Sequence, residues 1–74
     1  MNNVIILRIG DTVTPSQNVI ASVTALRALL RRCKQQSGTI VDIADDGEAY
    51  PVRVEFENGE RFWFDASELE RVGE

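Results

Sequence analysis

Histidine is absent from this chain of 74 residues, and cysteine and tryptophan occur once each. Without histidine, the Ser-His and Cys-His nucleophile pairs cannot be assembled. A lone thiol supplies neither an intramolecular disulfide nor a zinc site built from His and Cys. No apolar run approaches the ~20 residues that a membrane helix needs. The run in "NNVIILRIG" has no basic residue before it and no small-residue cleavage pattern after it, which argues against a signal peptide. A domain this small buries only about 60% of the surface its unfolded chain exposes. We therefore expect a soluble, cytoplasmic protein without cofactor or metal, held by packing and helped by a partner subunit if one exists.

The formal net charge of −4 is unevenly laid out. Residues 1–41 carry Arg8, Arg27, Arg31, Arg32 and Lys34 against Asp11 alone, a balance of +4; residues 42–74 carry eleven acids against Arg53, Arg61 and Arg71, a balance of −8. An acidic second half is a poor match for nucleic-acid phosphates. All the aromatic residues also lie in that half, between Tyr50 and Phe64.

Four signals order the chain. The run Val4 to Ile9 is rich in β-branched residues and suits a strand, which Gly10-Asp11 then bends or interrupts. In "TPSQ", Thr14 as N-cap, Pro15 at the first helical position and Gln17 three residues after the cap predict a helix over about 15–36. Arg31, Arg32 and Lys34 fall in its last turns, where cations favour the dipole. Val19, Val23, Leu26, Leu30 and Cys33 recur at spacings of four and three, an apolar seam that Leu29 widens. The β-branched cluster Val19, Ile20, Val23 and Thr24 leaves open a short strand before a helix starting near Ala25.

Beyond Gly38, "GTIVDIADDGEAYPVRVEF" reads as two strands around an Asp45-Asp46-Gly47 turn. Val41 and Ile43 alternate with Asp42, and Val52, Val54 and Phe56 alternate with Arg53, Glu55 and Glu57. In "DASELERV", Asp65 with Glu68 three residues on suggests one helical turn before a last strand around Arg71-Val72.

The register of the hairpin follows from its three adjacent aromatics. A two-residue Asn58-Gly59 loop would set Phe62 and Phe64 on the charged face with Arg53 and Glu55. A three-residue loop, Glu57-Asn58-Gly59, with Gly59 in the left-handed conformation, pairs Val54 with Phe62, Val52 with Phe64 and Glu55 with Arg61. That register also sets Trp63 beside Arg53 on the outer face, in reach of a cation–π contact of ~0.5–1 kcal/mol.

The succession "GTIVDI" (38–43), Asp46-Gly47, "YPVRVEF" (50–56), a glycine turn, an aromatic strand and "SELERV" (67–72) resembles the small SH3-like barrels. Mind-bomb-type repeats, KOW-like barrels and small uncharacterised bacterial SH3-like proteins are the nearest in pattern. The resemblance covers about residues 38–72, with Gly10 to Thr14 as a plausible first strand. It implies a single α+β, mainly β domain over 1–74: a five-stranded barrel with one long helix inserted between strands 1 and 2. Ligand positions near the family's loop between those strands do not transfer, because the helix replaces it.

Candidate chemistry is sparse. Cys33 falls in the helix seam, where a small hydrophobe belongs; if exposed, Arg32 and Lys34 would lower its pKa and open a redox role. "DIADDGE" fails as a calcium loop: position three is Ala44, and position twelve is Arg53 where a bidentate Glu is required. Paired carboxylates there read as a solvated turn rather than an acid–base pair. The expected protein is therefore not an enzyme.

Two binding readings remain. Tyr50, Trp63 and Arg53 with the acids Asp45, Asp46 and Glu48 suit a protein-binding site, since SH3-like barrels commonly hold proline-rich or cationic peptides on exposed aromatics and loop acids. The bland counterpart is that Trp63 is the floor on which the helix rests, and the helix is expected to cover it. Alternatively, Arg27, Arg31, Arg32 and Lys34 form a basic helix edge that could follow RNA or DNA phosphates, against the plainer reading of a helix C-terminus decorated with cations. A helix of about 22 residues would be ~33 Å long and overhang so small a barrel, so self-association through Val19, Val23, Leu26 and Leu30 is a third expectation.

Overall fold

The hairpin built on Gly59 sets the frame. The computed structural model describes residues 7–44 and 51–72, and in it Gly59 has φ 87°, a value only glycine adopts without strain. Its N–H donates to the Phe56 carbonyl at 2.9 Å, and the Phe56 N–H donates to the Glu60 carbonyl at 2.9 Å. The loop is thus the three-residue Glu57-Asn58-Gly59. Strands β3 (Pro51–Phe56) and β4 (Arg61–Asp65) pair in the expected register: Val52 with Phe64, Arg53 with Trp63, Val54 with Phe62 and Glu55 with Arg61.

Strand β2 (Gly38–Ile43) pairs with β3, Ile40 facing Val54 and Ile43 facing Val52, with a bulge between Ile40 and Asp42. The bulge corrects the simple alternation. Ile40, rather than Val41, is fully buried, and Ile43 is half-buried. One extra residue lets inward side chains precede and follow two outward neighbours, and it bends the strand.

Strand β1 is Thr12–Pro15 and β5 is Leu69–Arg71. The five strands form one antiparallel sheet in the order β4-β3-β2-β1-β5, which is not closed: β4 and β5 are its edges. A single 3₁₀ turn, Ala66–Glu68, links those two edges along the chain. Pro15 was expected to open the helix, but it ends β1 opposite Leu69. Its missing N–H causes no loss there, since the bond beyond β1 is made by the Ser16 N–H to the Glu68 carbonyl, at the end of the 3₁₀ turn just before β5, and β2 ends its pairing with β1 at Val13. Proline is tolerated where no ladder bond is called for.

The helical segment departs further from expectation. It is two helices, α1 (Gln17–Ser22) and α2 (Thr24–Arg31), instead of one over 15–36. Ser16 replaces Thr14 as the N-cap, its Oγ accepting from the Val19 N–H at 3.4 Å. The break is at Val23, with φ −110° and ψ 105°, inside the β-branched cluster whose χ1 freedom a helix restricts. Val23 N–H still reaches the Val19 carbonyl, and Val23 carbonyl accepts from Arg27 N–H, so one extended residue closes α1 and opens α2. The Arg27 guanidinium donates to the carbonyls of Ile20 (3.4 Å) and Ala21, groups that the end of α1 leaves without helical donors.

The core lies between α2 and the inner sheet face. Leu26, Leu29 and Leu30 pack in one cluster with Leu7, Val13, Ile40, Val52, Val54, Phe56, Phe64 and Leu69. Each such side chain contributes about 1.5–3 kcal/mol when fully buried. Phe64 holds Phe56 edge-on, with centroids 6.2 Å apart, and meets Phe62 at 5.1 Å. Val19, Val23 and Cys33 pack on the rim of this cluster. The seam expected to join two copies is therefore used inside one chain: Leu26 is 0% and Leu30 8% exposed. Breaking the helix at Val23 removes the overhang that motivated the helix-seam dimer.

Candidate functional site

The outer face of the sheet is organised in two cross-strand rows. One runs Thr12, Thr39, Glu55, Arg61 and the next runs from the bulge at Val41 and Asp42 through Arg53 to Trp63. Alternation along each strand puts these residues opposite the buried set. In the first row the Arg61 Nε and Glu55 Oε1 are 2.9 Å apart. In the second the Arg53 guanidinium carbon lies 5.6 Å from the Trp63 ring centroid, within cation–π range.

Trp63 is 46% exposed, one of three exposed large hydrophobic residues among those described, with Ile9 and Val72. This corrects the expectation that the helix covers it. The helix goes to the other face because that face offers Val52, Val54, Phe56 and Phe64 in register, a continuous apolar floor for Leu26, Leu29 and Leu30. Trp63 shares its face with Arg53, Glu55 and Arg61, charged groups that α2 would have to take out of water.

Beside the Glu55 row the outer face opens into a groove of about 570 Å³, lined by Thr12, Ser37, Thr39, Val41, Glu55 and Glu57 among others. Its wall is held by Glu57, whose Oε1 accepts from the backbone N–H of Lys34 and, at 2.9 Å, from that of Gln35. Thr39, Val41 and Glu55 were not singled out from sequence as site residues. Alternation already turns Glu55 outward and Thr39 pairs with it in regular register; Val41 joins them through the β2 bulge, which alternation alone does not reveal.

Of the residues assigned to the binding site from sequence, Arg53 and Trp63 are brought together. Tyr50, Asp45, Asp46 and Glu48 lie outside the described residues. The segment that carries them departs from Ala44 and returns at Pro51, two residues joined by an Ala44 N–H bond to the Pro51 carbonyl at 2.9 Å.

The basic group is dispersed in role. Arg27 caps α1, Arg32 faces Glu60 at 3.3 Å, and Lys34 is exposed next to the Glu57 contact. Arg31 lines a smaller cavity of about 220 Å³ with Ile20, Arg27, Leu30 and Gln36. A phosphate-tracking edge would need these cations unengaged and side by side; two of them are committed to intramolecular partners. Cys33 is partly buried, with Sγ 3.6 Å from the Leu29 carbonyl, as a small hydrophobe at the core rim.

No protein-family model matches the chain, and no curated protein or solved structure matches it. Among the described residues no helix is long and apolar enough to cross a membrane.

Proposed function

We propose that this chain is a non-enzymatic protein-binding module of SH3-like type, acting in the cytoplasm as a small accessory or regulatory subunit, or as an inhibitor, of a larger partner. The SH3-like reading is supported by the β2-β3-β4 meander and by the return of the last strand to β1 through a 3₁₀ turn. The binding reading rests on one observation: a tryptophan in mid-strand, 46% exposed and steadied by Arg53. A large aromatic fixed in place on a rigid sheet loses little entropy on contact, and such residues carry much of the energy at interfaces.

Trp63 and Arg53 would form the centre of the contact, and Tyr50, Asp45, Asp46 and Glu48 are assigned to it from the sequence alone. The groove along Thr39, Val41 and Glu55 continues the same face and can seat an extended segment. A proline-rich or cationic segment fits this chemistry, the prolines stacking on the indole and a cation meeting Glu55. The alternative of an RNA- or DNA-associated protein is weakened by the capping role of Arg27 and the Arg32–Glu60 pair.

Affinity capture from a lysate of the source cell is the test. A specific partner retained by the wild type and lost by Trp63→Ala, with the circular dichroism spectrum unchanged, is the expected result. Retention unaffected by Trp63→Ala would overturn the site.

A further inference from the structure

Strand β4 reads Arg61-Phe62-Trp63-Phe64-Asp65, a sequence that is nearly its own mirror image apart from the opposite charges at its ends. It is also an edge of the sheet. Because Phe56 and Glu60 form a hydrogen-bonded pair, the pairs Val54/Phe62 and Val52/Phe64 are hydrogen-bonded too, and Arg61, Trp63 and Asp65 turn their N–H and C=O groups away from β3. Among the described residues no strand pairs on that side. Of the devices that usually blunt an edge it has only the charges of Arg61 and Asp65 at its two ends; it contains no proline, no lysine and no bulge. The opposite edge, β5, is three residues long.

We propose that β4 pairs with β4 of a second copy of this chain, antiparallel about a twofold axis through Trp63. In that register Trp63 faces Trp63 of the second copy, Phe62 faces Phe64, and Arg61 faces Asp65 at both ends. The two Trp63 residues exchange N–H to carbonyl bonds, and each Arg61 N–H donates to the opposite Asp65 carbonyl. The Asp65 N–H is already held by the Glu68 Oε1 at 2.9 Å, which ends the ladder there.

Charge selects this register. A parallel pairing would set Arg61 against Arg61 and Asp65 against Asp65, and an antiparallel slip of two residues would set a charge against Trp63 in place of its opposite. Only the centred antiparallel arrangement satisfies both ends, extending the Glu55–Arg61 pair into a row that continues to Asp65 of the other copy. An isologous contact of this kind consumes the edge it uses, so it closes at two subunits. It joins the two outer faces side by side, with the two Trp63 indoles as cross-strand neighbours and their outward faces open beside Arg53, so it does not depend on the partner-binding reading.

Sedimentation equilibrium over a concentration series tests it, with Arg61→Asp, Asp65→Arg and the double exchange. The wild type is expected to pass from monomer to dimer, and the Trp63 amide to exchange more slowly as the dimer fills. Each single variant is expected to self-associate about tenfold or more weakly, because the twofold repeats every like-charge contact. The two single variants mixed together, and the double exchange alone, are expected to recover dimers. Recovery on mixing guards against a variant that has merely lost its fold. A wild type monomeric up to its solubility limit, assemblies larger than dimers, or mixed variants that stay monomeric would overturn the proposal.

Discussion

Arg53 and Trp63 face each other across the β3–β4 ladder, with the guanidinium carbon 5.6 Å from the ring centroid. The pairing explains how so large a side chain stays ordered on an open face: the cation covers part of the indole while its own charge remains in water. A double-mutant cycle on Arg53→Ala and Trp63→Ala, read by urea denaturation, is expected to give a coupling of ~0.5–1 kcal/mol. Additive losses would mean that the two side chains are neighbours without an interaction.

Gly38 is required by its surroundings more than by its backbone. A Cβ there would lie 2.6 Å from Val54 Cγ1 and 2.8 Å from the Glu55 carbonyl oxygen, closer than packed atoms approach. Gly38→Ala must push β2 away from β3, and overpacking of this kind costs about 1–3 kcal/mol. At Gly59 the space is open and the strain is conformational, φ 87°. There Gly59→Asn is expected to be milder than Gly59→Ala, since Asn tolerates the left-handed region better. Thermal melting of the three variants orders them.

The hairpin and its register were legible in the sequence because three facts converged: a glycine turn, adjacent aromatics that cannot share a face, and charges that pair in only one alignment. The helical segment was not. The periodicity of Val19, Val23, Leu26 and Leu30 is compatible with one long helix, and nothing in spacing alone marks Val23 as the residue that breaks it. The β-branched cluster was the available signal, and it pointed to a disruption without saying of what kind. Pro15 misled for a related reason: its φ suits both a helix start and an extended strand end, and the pairing of β1 with β5, a contact between distant parts of the chain, decides for the strand. The bulge at Val41 is likewise set by β2 wrapping the core. It moved Ile40 inward and gave the outer face two residues that alternation had divided.

Glu57 ties the hairpin loop to the segment after α2. Its carboxylate accepts from the N–H groups of Lys34 and Gln35, where no helical acceptor remains. Removing it in Glu57→Ala is expected to cost ~1–2 kcal/mol, as charge-assisted bonds at an exposed site do at the lower end of their range. Hydrogen exchange should quicken at the Lys34 and Gln35 amides while the Val54 amide keeps its protection. Uniform quickening would show that the contact supports the whole fold instead of this junction.

Arg27 is the test of the helix break. It lies on α2, yet its guanidinium serves the carbonyls of Ile20 and Ala21 at the end of α1 and approaches Thr24 Oγ1 at 3.4 Å. If that role is what holds α1 at its angle, Arg27→Ala should destabilise by ~1 kcal/mol and should loosen α1 before α2, whose leucines are fixed in the core. Arg27→Lys should recover only part of the loss, because an ammonium reaches two carbonyls less readily than a planar guanidinium with its fixed fork of donors. Amide exchange resolved by residue separates the outcomes: faster exchange confined to residues 20–23 supports the capping role, and equal loosening of α2 would mean that Arg27 acts through packing.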